Sequence, residues 1–443
     1  MQFDEAVRYL LSLGHETLAI KLGLRNIELL LNLLGNPEKS RLSVQIAGTN
    51  GKGSTAVMLE SICNAAGLDT GLYTSPHLVS MTERIRVGGR QISPEEFAQH
   101  ANEIRNAAES LVTQGKIAAP PTFFEQLTAI AFLTFKAHQG KLAILETGLG
   151  GRLDATTIAR AKLVAITPIA LDHEEYLGET LESIAAEKAA IIHTGATAIV
   201  APQTPEVLDV ILKQCALSGV EARVGDWAAR NLVSKDGRLC ITLETPHDRY
   251  DDLCLGLRGR HQVTNAAVAI RLAESLRAFG FDIPHAAIVN GIEEARHPGR
   301  MEFREGRPSF LFDGAHNPAG TQALRKYLEE FVKAPITLVF GAMRDKNLPQ
   351  MAANLFPLAE RLILTRPDNP RAADIDALRL ISDGLIDRER IITAANVKEA
   401  IEIAKDITAR DGLICFSGSL YLIGEAQKSL QEMAAAEVAT IAS

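Results

Sequence analysis

Short apolar runs alternate with stretches of helical periodicity along most of this chain. The runs Leu42 to Ala47, Thr70 to Thr74, Lys141 to Thr147, Leu163 to Pro168 and Thr197 to Ala201 read as strands, with helical segments between them. That alternation predicts an α/β architecture, a parallel sheet covered by helices on both faces. Ser93 followed by Pro94, Glu95 and Glu96 marks a helix start, because a side-chain cap, a proline in the first turn and two acids at the positive helix end agree. Residues 222–257 break the rhythm with shorter, turn-rich strands and read as a small β insertion. A helical pair follows, His261 to Phe279 and Pro284 to Ala295.

Arg296-His297-Pro298-Gly299-Arg300 reads as a hinge, since proline and glycine end the preceding helix and permit a change of direction. A second strand and helix alternation begins after it, with strands at Phe310 to Phe312, Ile336 to Phe340, Arg361 to Thr365 and Leu413 to Phe416. The expected organisation is therefore an N-terminal P-loop-type parallel-sheet domain over residues 1–297, carrying the β insertion, and a smaller Rossmann-like α/β domain over 298–443.

Composition narrows the class. The chain has 54 acidic and 46 basic side chains, a net charge of -8, which leaves no bulk positive potential for a nucleic-acid surface. At 47% hydrophobic and 23% charged it matches packed globular domains and not disordered chains. No segment approaches the roughly 18 apolar residues of a membrane span, and the N-terminus lacks a signal-peptide pattern. The five cysteines form no CxxC pair, which argues against a zinc or redox motif and for a reducing compartment, so a cytoplasmic location is expected.

Five blocks at strand ends carry chemistry. Gly48-Thr49-Asn50-Gly51-Lys52-Gly53-Ser54 joins a strand to a helix, so consecutive backbone N–H groups face outward at a positive helix end, the arrangement that holds a polyphosphate. Lys52 would neutralise the terminal phosphates. The spacing departs from GxxxxGK[ST], because Gly53 separates Lys52 from Ser54. Glu146-Thr147-Gly148-Leu149-Gly150-Gly151-Arg152-Leu153-Asp154-Ala155 puts a carboxylate at a strand's end, where open α/β sheets bind ligands and where it could hold magnesium. The plainer alternatives are a solvated Glu146 and an Asp154–Arg152 ion pair. Thr167-Pro168-Ile169-Ala170-Leu171-Asp172-His173 ends another strand and leads to a helix with Glu187 and Lys188, for which the plain reading is a solvated ion pair. Tyr73-Thr74-Ser75-Pro76-His77 offers a hydroxyl at a strand end, as a magnesium ligand or a turn. Asp313-Gly314-Ala315-His316-Asn317-Pro318 suits either a second small-ligand site or a helix cap by Asn317.

Taken together and in this order, GTNGKGS, TSPHL, ETGLGGRLDAT, DHEEYLG, EKAAII and DGAHNP resemble the folylpolyglutamate synthase and dihydrofolate synthase family of the Mur ligase superfamily, from about residue 20 to about residue 425. The resemblance implies an ATP-dependent ligase that joins L-glutamate to a dihydropteroate or reduced folate carboxylate through an acyl phosphate. It implies ATP contacts at Thr49, Asn50, Gly51, Lys52, Gly53, Ser54, Asn265, Arg300 and Asp313. Two magnesium sites follow from Ser75, Glu146, His173 and a carbamylated Lys188. Lys52, Lys188 and His316 become the catalytic set. Leu22, Gly23, Phe123, Phe124, Leu153, Asp154 and Ala155 match the pterin side, and His316 with Ser417 or Ser419 the glutamate side. A monomer without nucleic-acid or membrane partners is expected. The family pattern is broken at Thr157, Glu174 and Arg25-Asn26, which bears on substrate preference and not on the ligase chemistry. Two other readings carry distinct expectations: a Mur-type ligase for another carboxylate, which needs an N-terminal nucleotide-sugar domain that about 41 residues cannot supply, and a P-loop regulatory module, which has no use for the second domain or DGAHNP.

Overall fold

A computed structural model describes residues 1–14, 23–235 and 237–442. The described chain forms two compact units. The first comprises Met1–Leu232, Ile241–Leu255 and Thr264–Ala295; the second comprises Val233–Cys240, Gly256–Val263 and the chain from Arg296 onward.

The first unit is built on an eight-stranded sheet: β1 (Leu42–Ala47), β2 (Thr70–Tyr73), β3 (Ile85–Val87), β4 (Arg90–Gln91), β5 (Leu142–Glu146), β6 (Leu163–Ile166), β7 (Thr197–Val200) and β8 (Ala222–Val224). Their order is β4-β3-β2-β5-β1-β6-β7-β8. The six strands from β2 to β8 in that order run parallel, and β3 and β4 add an antiparallel edge. The central strand is β1, with β5 on one side and β6 on the other, so chain direction diverges at its carboxyl end and opens a crevice there. Register fixes what meets in that crevice: Ile46 lies beside Glu146 and Ala47 beside Ile166. Both neighbouring loops are sewn to the end of β1, Thr147 N donating to Ile46 O at 3.0 Å and Thr167 N to Ala47 O at 2.8 Å.

Helices cover both faces. One face packs Ile27, Leu30, Phe97, Ile104, Leu127, Ile130 and Phe135 against Leu145 of β5. The other packs Ile184, Ile192, Val207 and Ile211 against Val164, Ile166 and Val200. Each such side chain contributes about 1.5–3 kcal/mol on burial. The helix Lys52–Ala65, which starts at the glycine-rich loop, is buried on nearly every side; the helix His285–Glu294 lies on it closely enough that Gly291 faces the backbone of Ile62. A loop rooted in so enclosed a helix has a rigid foundation.

Three sequence expectations need correction. Residues 222–224 belong to the main sheet as β8, pairing in parallel with β7, so the insertion is shorter than 222–257. It forms a three-stranded sheet in the order β11-β10-β9, from β9 (Ala228–Lys235), β10 (Arg238–Glu244) and β11 (Arg249–Cys254). Three residues are too few to show a period, which is why β8 merged with the turn-rich stretch after it. Short length also hid β3 and β4. Finally, Cys240 on β10 and Cys254 on β11 are disulfide-bonded, against the expectation of reduced thiols throughout, while Cys63, Cys215 and Cys415 are free and buried.

The second unit centres on a six-stranded sheet of β12 (Glu302–Arg304), β13 (Ser309–Asp313), β14 (Ile336–Phe340), β15 (Arg361–Leu364), β16 (Ile391–Thr393) and β17 (Leu413–Ser417), ordered β12-β13-β17-β14-β15-β16. Only β12 is antiparallel to its neighbour. Phe310, Phe312 and Phe416 stack on one face, the last two with centroids 5.2 Å apart. The register sets Ser417 between Asp313 and Phe340 at the carboxyl ends. Among the described residues no helix is long and apolar enough to cross a membrane.

Candidate active site

In the first unit the loop after β1 can take its course only because two positions are glycine. Gly48 has φ +146°, and a Cβ there would run into Thr167 Oγ1 and stand 2.9 Å from the Thr167 carbonyl oxygen. Gly51, with φ +91°, caps the helix Lys52–Ala65, and a Cβ on it would run into the amide of Asn265. The fold thus brings the buried Asn265 from a distant helix onto the loop.

The loop is tied to the segment after β6. Thr49 N and Asn50 N both donate to Pro168 O, at 3.1 and 3.2 Å. The Thr49 hydroxyl donates to Ala170 O at 3.0 Å and accepts from Ala170 N at 3.1 Å. Lys52 Nζ donates back to Thr49 O at 3.1 Å.

Lys188 does not pair with Glu187. It is 5% exposed and its Nζ donates to Gly48 O at 2.8 Å, while Glu187 pairs with Arg152 at 2.9 Å. Burial first, and then the nearby Lys52 cation, lower its pKa to about 7; Asp172 and Asp154 pull the other way. A substantial share of a neutral amine at physiological pH is unusual for lysine and marks the residue as chemically available.

Asp154 likewise makes no pair with Arg152. One carboxylate oxygen accepts from Gly148 N and Leu149 N at 2.8 and 3.0 Å, and the other from the backbone N and hydroxyl of Thr156. Its roughly four lone-pair positions are therefore filled by its own loop, which it braces. Burial raises its pKa against those bonds. The Phe124 ring packs on Gly148 of that loop and against Tyr73, with centroids 5.9 Å apart. Phe123 and Ala155 are buried in the same core cluster, and the Arg84 guanidinium lies 5.6 Å over the Phe123 ring. Leu153 is 40% exposed. Gly23 has φ +139° with no atom of the described residues within 4 Å of where a side chain would start, and Leu22 lies outside the described residues. Thr157, one of the departures, is absorbed by the loop: its hydroxyl donates to Gly151 O and accepts from Gln45 Nε2. Arg25 opens the helix Arg25–Leu33, followed by Asn26, and the exposed Glu174 opens the short helix Glu174–Leu177.

Glu146, 5% exposed, ends β5 and accepts from Ser75 N at 3.1 Å, so two of the expected metal positions stand together. His173, at φ +55°, belongs to the segment after β6, on the other side of β1, where its N–H donates to Asp172. Among the described residues no three His, Cys, Asp or Glu side chains form a metal-holding group. A buried carboxylate on the backbone of a serine is a donor set that fits magnesium, a hard cation that keeps several of its waters and asks few oxygens of the protein.

In the second unit Asp313 ends β13, accepting from Met301 N at 2.9 Å and Ala315 N at 3.1 Å, and burial raises its pKa. Arg300 and His316 both reach Gly314 O, at 3.4 and 2.8 Å. Asn317 is a helix cap, accepting from Gly320 N at the start of Pro318–Phe331. The two candidate serines differ. Ser419 is committed to the backbone, donating to Gly341 O and accepting from Leu422 N, whereas the Ser417 hydroxyl is fully buried with no hydrogen-bond partner among the described residues.

Comparison with known proteins settles the family. Residues 46–273 match the Mur ligase middle domain and residues 299–420 the Mur ligase glutamate ligase domain. The dihydrofolate synthase/folylpolyglutamate synthase of Mycobacterium tuberculosis is 34% identical over 400 residues, 87% of this chain and 82% of that protein. The chain belongs to the folylpolyglutamate synthase and dihydrofolate synthase family. Members of this ligase family have the same fold: the structure of Mycobacterium tuberculosis folylpolyglutamate synthase complexed with ADP superposes with a TM-score of 0.90 at 32% identity, covering 96% of this chain and 97% of the other. The E. coli family member in complex with DHPP and ADP gives 0.85 at 31% identity, covering 98% of each chain. A probable bifunctional folylpolyglutamate synthase/dihydropteroate synthase of Halobacterium salinarum is 36% identical over 96% of this chain, which spans only about half (51%) of that relative's length.

Proposed function

We propose that this family member joins L-glutamate to the carboxylate of dihydropteroate or a reduced folate, converting ATP to ADP and phosphate. The observation that carries the reading is the buried Lys188 held on the first glycine of the phosphate loop. A carboxylate has oxide as its leaving group and does not react with an amine. Its oxygen therefore bonds to the γ-phosphorus as ADP departs; the glutamate nitrogen then bonds to the acyl carbon, phosphate leaves, and the amine sheds a proton.

The loop amides and Lys52 neutralise charge on the transferring group. Asn265 steadies the loop at Gly51. Ser75 and Glu146, with His173, would hold magnesium, which when bound supplies positive charge against the phosphate oxygens. Neutral Lys188 Nζ has the electron pair to add to carbon dioxide with loss of a proton, and the carbamate so formed would offer oxygens for a second magnesium. Phe123, Phe124, Leu153 and Ala155, with Gly23, flank the pterin, and Asp154 holds that wall in shape. Arg300 and Asp313 serve the nucleotide and His316 and Ser417 the glutamate. In this reading the protein works as a cytoplasmic monomer.

The test is ADP release with magnesium present. It should require both glutamate and a pteroate or folate acceptor; release indifferent to both would overturn the reading. Comparing dihydropteroate with tetrahydrofolate shows which glutamate is added. Glu146→Gln keeps an acceptor for Ser75 N but loses a charge, so half-maximal activity should need about tenfold more magnesium, equivalent to about 1.4 kcal/mol. An unchanged magnesium titration would remove Glu146 from the metal site.

A further inference from the structure

The segment after β7 belongs to none of the blocks that carry the chemistry, yet one of its side chains reaches them. Gln203 Nε2 donates to Thr167 O at 3.1 Å, and Gln203 Oε1 accepts from Ile169 N at 3.0 Å. A single amide therefore closes both ends of the Thr167-Pro168-Ile169 turn. Between those ends stands the Pro168 carbonyl, which accepts from Thr49 N and Asn50 N. Proline has no N–H of its own to anchor the turn. The preceding residue, Thr167, is fixed by two bonds to Ala47 O, from its N and Oγ1, and Ala170, just beyond the turn, is locked to the Thr49 hydroxyl. Gln203 supplies the brace in the middle.

We infer that Gln203 is a positioning residue for the nucleotide. By holding the 167–169 turn it fixes Pro168 O as the anchor for the first limb of the phosphate loop. The amides of Thr49 and Asn50 are then spent inside the protein, and the cradle for the triphosphate is made by the amides from Gly51 onward at the helix start. Without the brace the anchor swings, and the loop has to be ordered at the expense of nucleotide affinity. Glutamine suits the place because its amide carries both an acceptor and a donor; glutamate offers only acceptors, and would set a carboxylate oxygen against the Thr167 carbonyl. The inference rests on the Gly48 to Ser54 loop being the ATP site.

The experiment uses the full chain and its Gln203→Leu and Gln203→Glu variants. ADP affinity is measured by calorimetry, KM for ATP, dihydropteroate and glutamate by steady-state assay, and melting temperature without nucleotide. Losing both neutral hydrogen bonds, about 2 kcal/mol together, predicts roughly thirtyfold weaker ADP binding and a similarly raised KM for ATP in Gln203→Leu. KM for the other two substrates should stay within twofold, and Gln203→Glu should be no better than Gln203→Leu. ADP affinity within twofold of the parent in both variants would overturn the inference. So would a parallel rise in all three KM values with a fall in melting temperature, the mark of a merely structural role. If Gln203→Leu does not fold, Gln203→Glu, which keeps the acceptor for Ile169 N, is read by the same criteria. Failure of the unsubstituted chain to bind ADP would instead overturn the ATP reading itself.

Discussion

Replacing Lys188 with alanine should lower ligase turnover by roughly a hundred- to a thousandfold, the range seen when one preorganised electrostatic group is lost from an active site. The side chain is enclosed, its amine is held 2.8 Å from Gly48 O, and burial brings its pKa down to about 7. Alanine removes both the contact to the loop and the atom that would carry the carbamate. Acetate or formate at high concentration should restore part of the rate by occupying the vacated space as a free carboxylate. Full activity of Lys188→Ala without additives would exclude the carbamate role. Loss that no carboxylate relieves would leave only the support that Nζ lends to Gly48.

Gly48→Ala should be strongly damaging to the first unit. The new methyl would meet the Thr167 hydroxyl and stand 2.9 Å from the Thr167 backbone oxygen. Thr167 is already bound through N and Oγ1 to Ala47 O and cannot retreat freely. Alanine also resists φ +146°. Overpacking and backbone strain together suggest about 3 kcal/mol of lost stability. If the loop moves to escape, Gly48 O leaves Lys188, and KM for ATP rises. Denaturant titration followed by nucleotide binding checks both routes; a variant unchanged in midpoint and in ATP KM would show that the loop has slack.

The strands that frame the site were legible because each is a short apolar run ending at a block of glycine, threonine or acid. The loop from Gly48 to Ser54, Glu146 and Asp313 could be placed at strand ends from the sequence alone. Lys188 could not. In the segment Leu181–Ala189 it follows Glu187, and adjacency in sequence suggested a surface ion pair, whereas successive helix residues point in different directions and the fold buries one while Arg152 claims the other. Asp154 was legible as a loop acid but not as a saturated one, since its partners are backbone N–H groups, which every sequence has. Gln203 shows the same limit: its only local signal is a place just after a strand of the main sheet. The distinction between Ser417 and Ser419, two residues apart, depends on which begins a helix.

The cysteines suit the protein to single-site labelling. Cys63, Cys215 and Cys415 are buried with thiol pKa values pushed up by loss of solvent, Cys63 to about 12, and Cys240 and Cys254 are disulfide-bonded. A maleimide reacts with thiolate, so under non-reducing conditions the native chain presents it with little to attack. One cysteine introduced at an exposed position, such as Leu217, would then carry a fluorophore with no native thiol removed.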